Sequence, residues 1–119
     1  MAADPAKTVE ELVPAVRQGE GALLMALDGI PVEQAALTDG AKLETIADAY
    51  AGLLRQVKAL AAELGCGAPL RFSVRGENHR VVFAFRSSDL VLGAVAGPGG
   101  LRGQMRHAIA QAETRLGQV

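Results

Sequence analysis

The sequence predicts a single α+β domain spanning residues 1–119, with elements in the order α-β-β-α-β-β-β-α. Three observations carry this reading. A continuous apolar run, Ala22 to Leu27, ends at Asp28-Gly29 and is followed by the short, proline-bearing stretch Ile30–Glu33. From Leu43 to Leu64 the apolar residues recur at alternating steps of three and four, the period of one long helix. Between Leu70 and Arg86 apolar and polar residues instead alternate with period two, as in half-buried strands. A chain of 119 residues buries one real core and leaves little room for a second.

The first element is a helix. Thr8-Val9-Glu10-Glu11 fits a capping box with Thr8 as N-cap, and Val9, Leu12, Val13 and Val16 follow at helical spacing up to Gly19. Pro14 falls inside this segment, so a kink or a late start of the helix is expected. Next comes a hairpin. The run Ala22–Leu27 reads as a buried strand, and Asp28-Gly29 as a two-residue turn with positive φ. Pro31 marks the return strand as an edge, because proline donates nothing to a ladder.

Thr38-Asp39-Gly40 leads into the long helix, which Gly65 caps. Its apolar face takes in Leu43, Ile46, Tyr50, Leu53, Val57, Leu60 and Leu64, and Glu44, Asp48, Arg55 and Lys58 form a narrow charged strip. A third sector, Thr45, Ala49, Gly52, Gln56 and Ala59, is small or neutral. A glycine inside a helix costs about 1 kcal/mol relative to alanine, so Gly52 asks for a compensation that a closely packed second helix would supply.

Three strands follow. Leu70, Phe72 and Val74 alternate with Arg71, Ser73 and Arg75. After the turn Gly76–His79, Val81, Phe83 and Phe85 share the face of the first set, and Arg80, Val82, Ala84 and Arg86 the other. Beyond Ser87-Ser88-Asp89, the run Leu90–Ala96 suits a central strand. Gly97-Pro98-Gly99-Gly100 breaks the sheet, and Leu101, Met105, Ala108, Ile109, Ala112 and Leu116 line one face of a last helix.

A buried strand, an Asp-Gly turn and a short edge strand, in this order of elements, resemble the Roadblock family of dynein light chain-like proteins along nearly the whole chain. The resemblance implies a five-stranded antiparallel sheet with the first and last helices on one face and the long middle helix on the other. It also implies homodimers paired through the middle helices and third-strand edges, so Thr45, Ala49, Gly52, Gln56 and Ala59 fall at the expected dimer contact. The string from Met25 to Glu33 and the short tail are similar to small bacterial members of the Mgl polarity-GTPase system. That system includes a Roadblock-type GTPase activator and a smaller partner of that activator, and this chain looks more like the smaller one. The function implied is a non-catalytic, homodimeric scaffold or regulator that binds a small Ras-like GTPase or its Roadblock-type activator.

Composition and motifs bear on the same question. Half of the residues are hydrophobic but only three per cent aromatic, so the core is built from Leu, Val, Ile and Ala. A positive mean hydropathy in so short a chain points to apolar surface buried against another chain. No run approaches the roughly 18 apolar residues of a membrane helix, and the first residues lack the basic and apolar stretches of a signal peptide, which reads as cytoplasmic. Residues 1–64 carry −5 and residues 65–119 carry +4, a split that either marks an acidic-partner surface or balances on folding.

Cys66 is the sole cysteine, which excludes an internal disulfide and a multi-cysteine zinc site. His79 and His107 stand in no ligand cluster, so no metal is expected. The Gly97–Gly100 turn lies where a phosphate would be cradled, and a small-molecule- or nucleotide-binding domain using it is the alternative reading. The Lys-Ser/Thr pair of a P-loop is absent after Gly103, so no cofactor is expected. No catalytic constellation can be assembled. Arg71, Arg75, Arg80 and Arg86 share one side of a hairpin and form either a partner-binding patch or a charged, solvated edge. Nucleic acid is not the expected partner, since net positive charge and stacking aromatics are missing.

Overall fold

The computed structural model describes residues 4–36, 40–86, 89–99 and 102–117. Eight elements follow the expected order: α1 (Pro5–Leu12), β1 (Gly19–Ala26), β2 (Pro31–Ala36), α2 (Gly40–Glu63), β3 (Arg71–Arg75), β4 (Arg80–Phe85), β5 (Leu90–Ala96) and α3 (Arg102–Leu116). The segment Thr38-Asp39, the turn residues Ser87-Ser88 and Gly100-Leu101 lie outside the described residues.

All strand pairings are antiparallel, in the order β2-β1-β5-β4-β3. The apolar run Leu90–Ala96 is the central strand, and the Pro31 strand is an edge, as its missing donor requires. Side chains alternate across the sheet and divide the core in two. Ala22, Leu24, Val82, Ala84, Leu92 and Ala94 meet α1 and α3 on one face. Leu23, Met25, Phe83, Val91 and Val95 meet Leu43, Ala47 and Leu54 of α2 on the other. This is the two-and-one helix arrangement that the family resemblance implies.

Helix α1 begins earlier than the capping box suggests. Asp4 is the N-cap, its carboxylate accepting from the Ala6 amide, and Pro5 occupies the first turn. Thr8 therefore sits inside the helix, almost fully buried, and its hydroxyl donates to the Asp4 carbonyl at 3.1 Å. The helix ends at Leu12, so Pro14 kinks nothing and belongs to the connection into β1. Val13 and Val16 are still buried, but from this connection.

The first hairpin also departs from the two-residue turn. The Gly29 amide donates to the Ala26 carbonyl at 2.9 Å, the Ala26 amide donates to Ile30, and only Gly29 has positive φ, at 95°. This is a three-residue loop with glycine in the left-handed position, and a separate shift of register between Leu24 and Met25 leaves Val32 as an extra residue between Pro31 and Glu33. Asp28 acts through its side chain, accepting from the Ile30 amide at 2.9 Å. At the end of α2, Gly65 takes the left-handed conformation, with Gly65 bonded to Ala62 and Cys66 to Ala61, a Schellman cap.

The apolar stripe of α2 is wider than the sheet covers. Leu53, Leu60 and Leu64 are 39%, 54% and 68% exposed, and Leu70 before β3 is 78% exposed. These four leucines, assigned by spacing to the apolar faces of the long helix and of the strand, are surface residues. At about 100° per residue Leu53 and Leu60 lie on the flank of the helix turned away from β2. The β2 flank is fixed by Gln34 bonded to Glu44 and by Arg55, whose guanidinium donates to the Leu27 carbonyl.

Candidate functional site

Helix α2 presents the first candidate surface. Thr45, Ala49, Gln56 and Ala59 are all exposed and Gly52 is partly so, and Leu53 and Leu60 border them. A Cβ placed on Gly52 meets only the tip of Arg55, at 3.7 Å. Among the described residues nothing therefore explains a helix-weakening glycine at this position. The β3 edge is a separate exposed feature, hydrogen-bonded to β4 on one side only.

The arginine hairpin forms the second. Arg71, Arg75 and Arg80 project with Arg86 on the α1/α3 side of the sheet, the side that strand parity assigns. They do not act as one patch. Glu113 of α3 receives Arg71 at 2.9 Å on one carboxylate oxygen and Arg86 at 3.2 Å on the other. Arg86 also donates to the Gly117 carbonyl, and its side chain is only 12% exposed. Arg71 and Arg86 thus tie the C-terminal half of α3 to the sheet. Arg75 and Arg80 lie farther along the hairpin beside Met105.

The glycine-rich turn is already filled. The Gln18 side chain accepts from the Gly99 amide at 2.7 Å, and the Gln18 carbonyl accepts from the Gly97 amide at 3.0 Å. A Cβ on Gly97 would lie 2.9 Å from the Gln18 Oε1. Among the described residues of the turn, the Gly97 and Gly99 amides are thus satisfied from within the chain and are not free to cradle a phosphate. Gln18 holds φ at 57°, unusual for a residue other than glycine, asparagine or aspartate. Sequence reasoning missed it, since nothing local links residues 81 positions apart.

His79 has a single carboxylate partner, its Nδ1 lying 2.8 Å from Glu20 Oε1. Among the described residues no group of three or more His, Cys, Asp and Glu side chains could hold a metal ion. Cys66 is exposed just beyond α2. Among the described residues, no helix is long and apolar enough to cross a membrane.

A five-stranded antiparallel sheet between one long helix and a helix pair defines a three-layer α+β domain. Residues 5–96 match the family model of the Roadblock/LC7 domain, and the chain belongs to that family. Among solved structures, MglB of Myxococcus xanthus superposes with a TM-score of 0.83 at 18% identity, covering 94% of this chain and 90% of its own. A Roadblock/LC7 domain from Streptomyces avermitilis gives 0.82 at 18% identity, covering 94% and 93%. MglC of Myxococcus xanthus is 26% identical, with a TM-score of 0.64 and coverage of 92% and 93%. Comparison with the curated proteins gives no match.

Proposed function

We propose that this chain is a non-catalytic, homodimeric Roadblock regulator that binds a small Ras-like GTPase or a Roadblock-type activator in the bacterial cytoplasm. The family assignment supports the class, and the presence of both MglB and MglC among the structural neighbours supports a place in the Mgl system. The observation that carries the dimer is the uncovered face of α2, where Gly52 and its neighbours stand open beside Leu53 and Leu60. Burying that face against a second copy would remove the exposed leucines from water and give Gly52 a reason. The contact would comprise Thr45, Ala49, Gly52, Gln56 and Ala59, widened by the two leucines. The partner would meet the arginine hairpin, chiefly at Arg75 and Arg80, with Arg71 and Arg86 holding α3 in place.

Substitution at Gly52 tests this through its sign. In an isolated exposed helix Gly52→Ala should stabilise by about 1 kcal/mol. Where a second helix packs on the glycine, Gly52→Ala should weaken association, and Gly52→Leu should yield monomers by overpacking. Light scattering at micromolar concentration distinguishes the outcomes: a wild-type monomer, or a Gly52→Leu dimer, refutes the proposed assembly. Pull-down from native lysate with Arg75→Glu as control then tests the partner. A variant that stays dimeric and loses the GTPase or second Roadblock protein supports the reading, and unchanged capture opposes it.

A further inference from the structure

The β1–β2 hairpin forms the sheet edge opposite the arginine hairpin, because the strand order places β2 and β3 at the two edges. It carries two apolar side chains in water: Ile30 is 64% exposed and Val32 52%. The proposed α2 contact leaves them exposed, since Leu53 and Leu60 lie on the flank of α2 turned away from β2.

Four carboxylates stand around the pair. Asp28 and Glu33 flank it within the hairpin, and Asp28 accepts from the Ile30 amide. Asp48 of α2 lies behind the turn, its Oδ1 3.4 Å from where a Cβ on Gly29 would stand. Asp89 is joined at the main chain, its carbonyl accepting from the Leu27 amide at 2.9 Å. The nearby cation, Arg55, is turned onto the Leu27 carbonyl. The hairpin end is therefore negative, and among the described residues its carboxylates converge on no metal site.

An apolar centre within a charged rim is the anatomy of a protein interface. The sign of the rim selects the occupant. An anionic membrane or a nucleic acid would be repelled, and so would the same hairpin of a second copy. Strand addition is hindered at this edge, because Pro31 has no amide to donate and Val32 is an extra residue that interrupts the ladder. Contact must therefore come through side chains.

We propose that this hairpin end is a docking surface for a protein that presents Lys or Arg around a small apolar pocket, with Ile30 and Val32 as the anchors. The surface is separate from the α2 contact and from the arginine hairpin, and the inference depends on neither. With the arginine hairpin at the other edge, one chain would hold two partners of opposite charge.

Replacing Ile30 by p-benzoylphenylalanine in the full chain keeps the position apolar and makes it photo-reactive. After irradiation in native lysate, mass spectrometry of the attached peptide identifies the segment lying against the hairpin. The expected segment belongs to another protein and carries Lys or Arg beside apolar residues. Its yield should fall about tenfold with Val32→Ser, as for the loss of an interface anchor. Glu33→Lys combined with Asp48→Lys should lower it to a similar degree, and so should about 0.5 M salt acting on the unaltered surface. An unchanged melting temperature shows that these variants fold, since exposed substitutions alter stability little. Arg75→Glu should leave the yield as it is. An attached segment that is acidic, or that comes from this chain's own arginine hairpin, overturns the proposal. So does the same attachment from a probe at Gln111, exposed on α3. A yield insensitive to charge reversal and salt, a yield lost with Arg75→Glu, or no attachment at all overturns it equally.

Discussion

Gly93 sits in the central strand, where a residue without a side chain contributes nothing to packing and weakens the strand by about 0.5–1 kcal/mol relative to alanine. Its neighbours explain it. A Cβ at Gly93 would lie 2.8 Å from both Cδ1 and Cε1 of Phe83 and 3.4 Å from Leu23 Cδ2. Phe83 and Leu23 are its register partners on β4 and β1, so the Phe83 ring lies over the glycine. To accept alanine, the ring must retreat by roughly 0.6 Å to reach an ordinary contact of 3.4 Å. It has no room: Phe83 is fully buried, and Tyr50 stacks at 5.1 Å between centroids on its α2 side. Overpacking of this kind costs about 1–3 kcal/mol, against which the glycine-to-alanine gain is smaller. Gly93→Ala should therefore destabilise by about 1–2 kcal/mol, a fall in Tm of about 4–8 °C for a domain of this size. Thermal and urea unfolding at one fixed protein concentration measure it, since self-association would otherwise move the midpoint. Phe83→Leu should open the space, so the double variant should be more stable than the two separate losses imply, with a coupling of about 1 kcal/mol. A Gly93→Ala protein as stable as the wild type, or strictly additive losses, would refute the reasoning.

Two further perturbations test contacts that join distant parts of the chain. Glu113→Gln leaves Arg71 and Arg86 without their shared anion and should cost about 1 kcal/mol in urea unfolding, less at high salt, where the wild-type pairs are themselves screened; equal losses at low and high salt would mean that charge is not the cause. Gln18→Ala removes the acceptor of the Gly99 amide while the main-chain bond to Gly97 survives. Hydrogen exchange should quicken at Gly99 and remain slow at Gly97, with a stability loss of about 1 kcal/mol.

What was legible in the sequence is what local pattern encodes. The period-two alternation in β3 and β4 placed every arginine on the correct face, and the apolar run Leu90–Ala96 found the middle of the sheet. Punctuation was less certain where two signals overlapped. Thr8-x-x-Glu11 and Asp4-Pro5 both describe a helix start, and the earlier one prevails because it places Pro5 where its missing donor costs nothing. At the Asp-Gly turn the dipeptide was read correctly as a turn, but its type depends on how the strands align, which residues 28 and 29 alone do not determine. Least legible were the long-range partners. Gln18 with Gly99, Glu20 with His79 and Glu113 with two arginines involve residues with no local relation, brought together only by the stacking of helices on the sheet.

The exposed leucines of α2, Leu53 and Leu60, are different, because their exposure itself carries information. Spacing tells how wide the apolar stripe of α2 is, and the natural inference is that one face of one sheet buries all of it. A helix lying on a sheet is covered along one stripe only; here Leu43, Ala47 and Leu54 fill that stripe and are almost fully buried. Leu53 and Leu60 extend the apolar arc past the sheet toward the Gly52 sector, where a solvated helix would carry charge. The surplus cannot be a requirement of this chain's own core, since that core is closed without it. In the proposed dimer its cost in exposed apolar surface would be removed by the second copy against α2. The width of the stripe in excess of what the sheet covers is therefore the part of the sequence that speaks of assembly, and it points to the same helix face as the unexplained glycine.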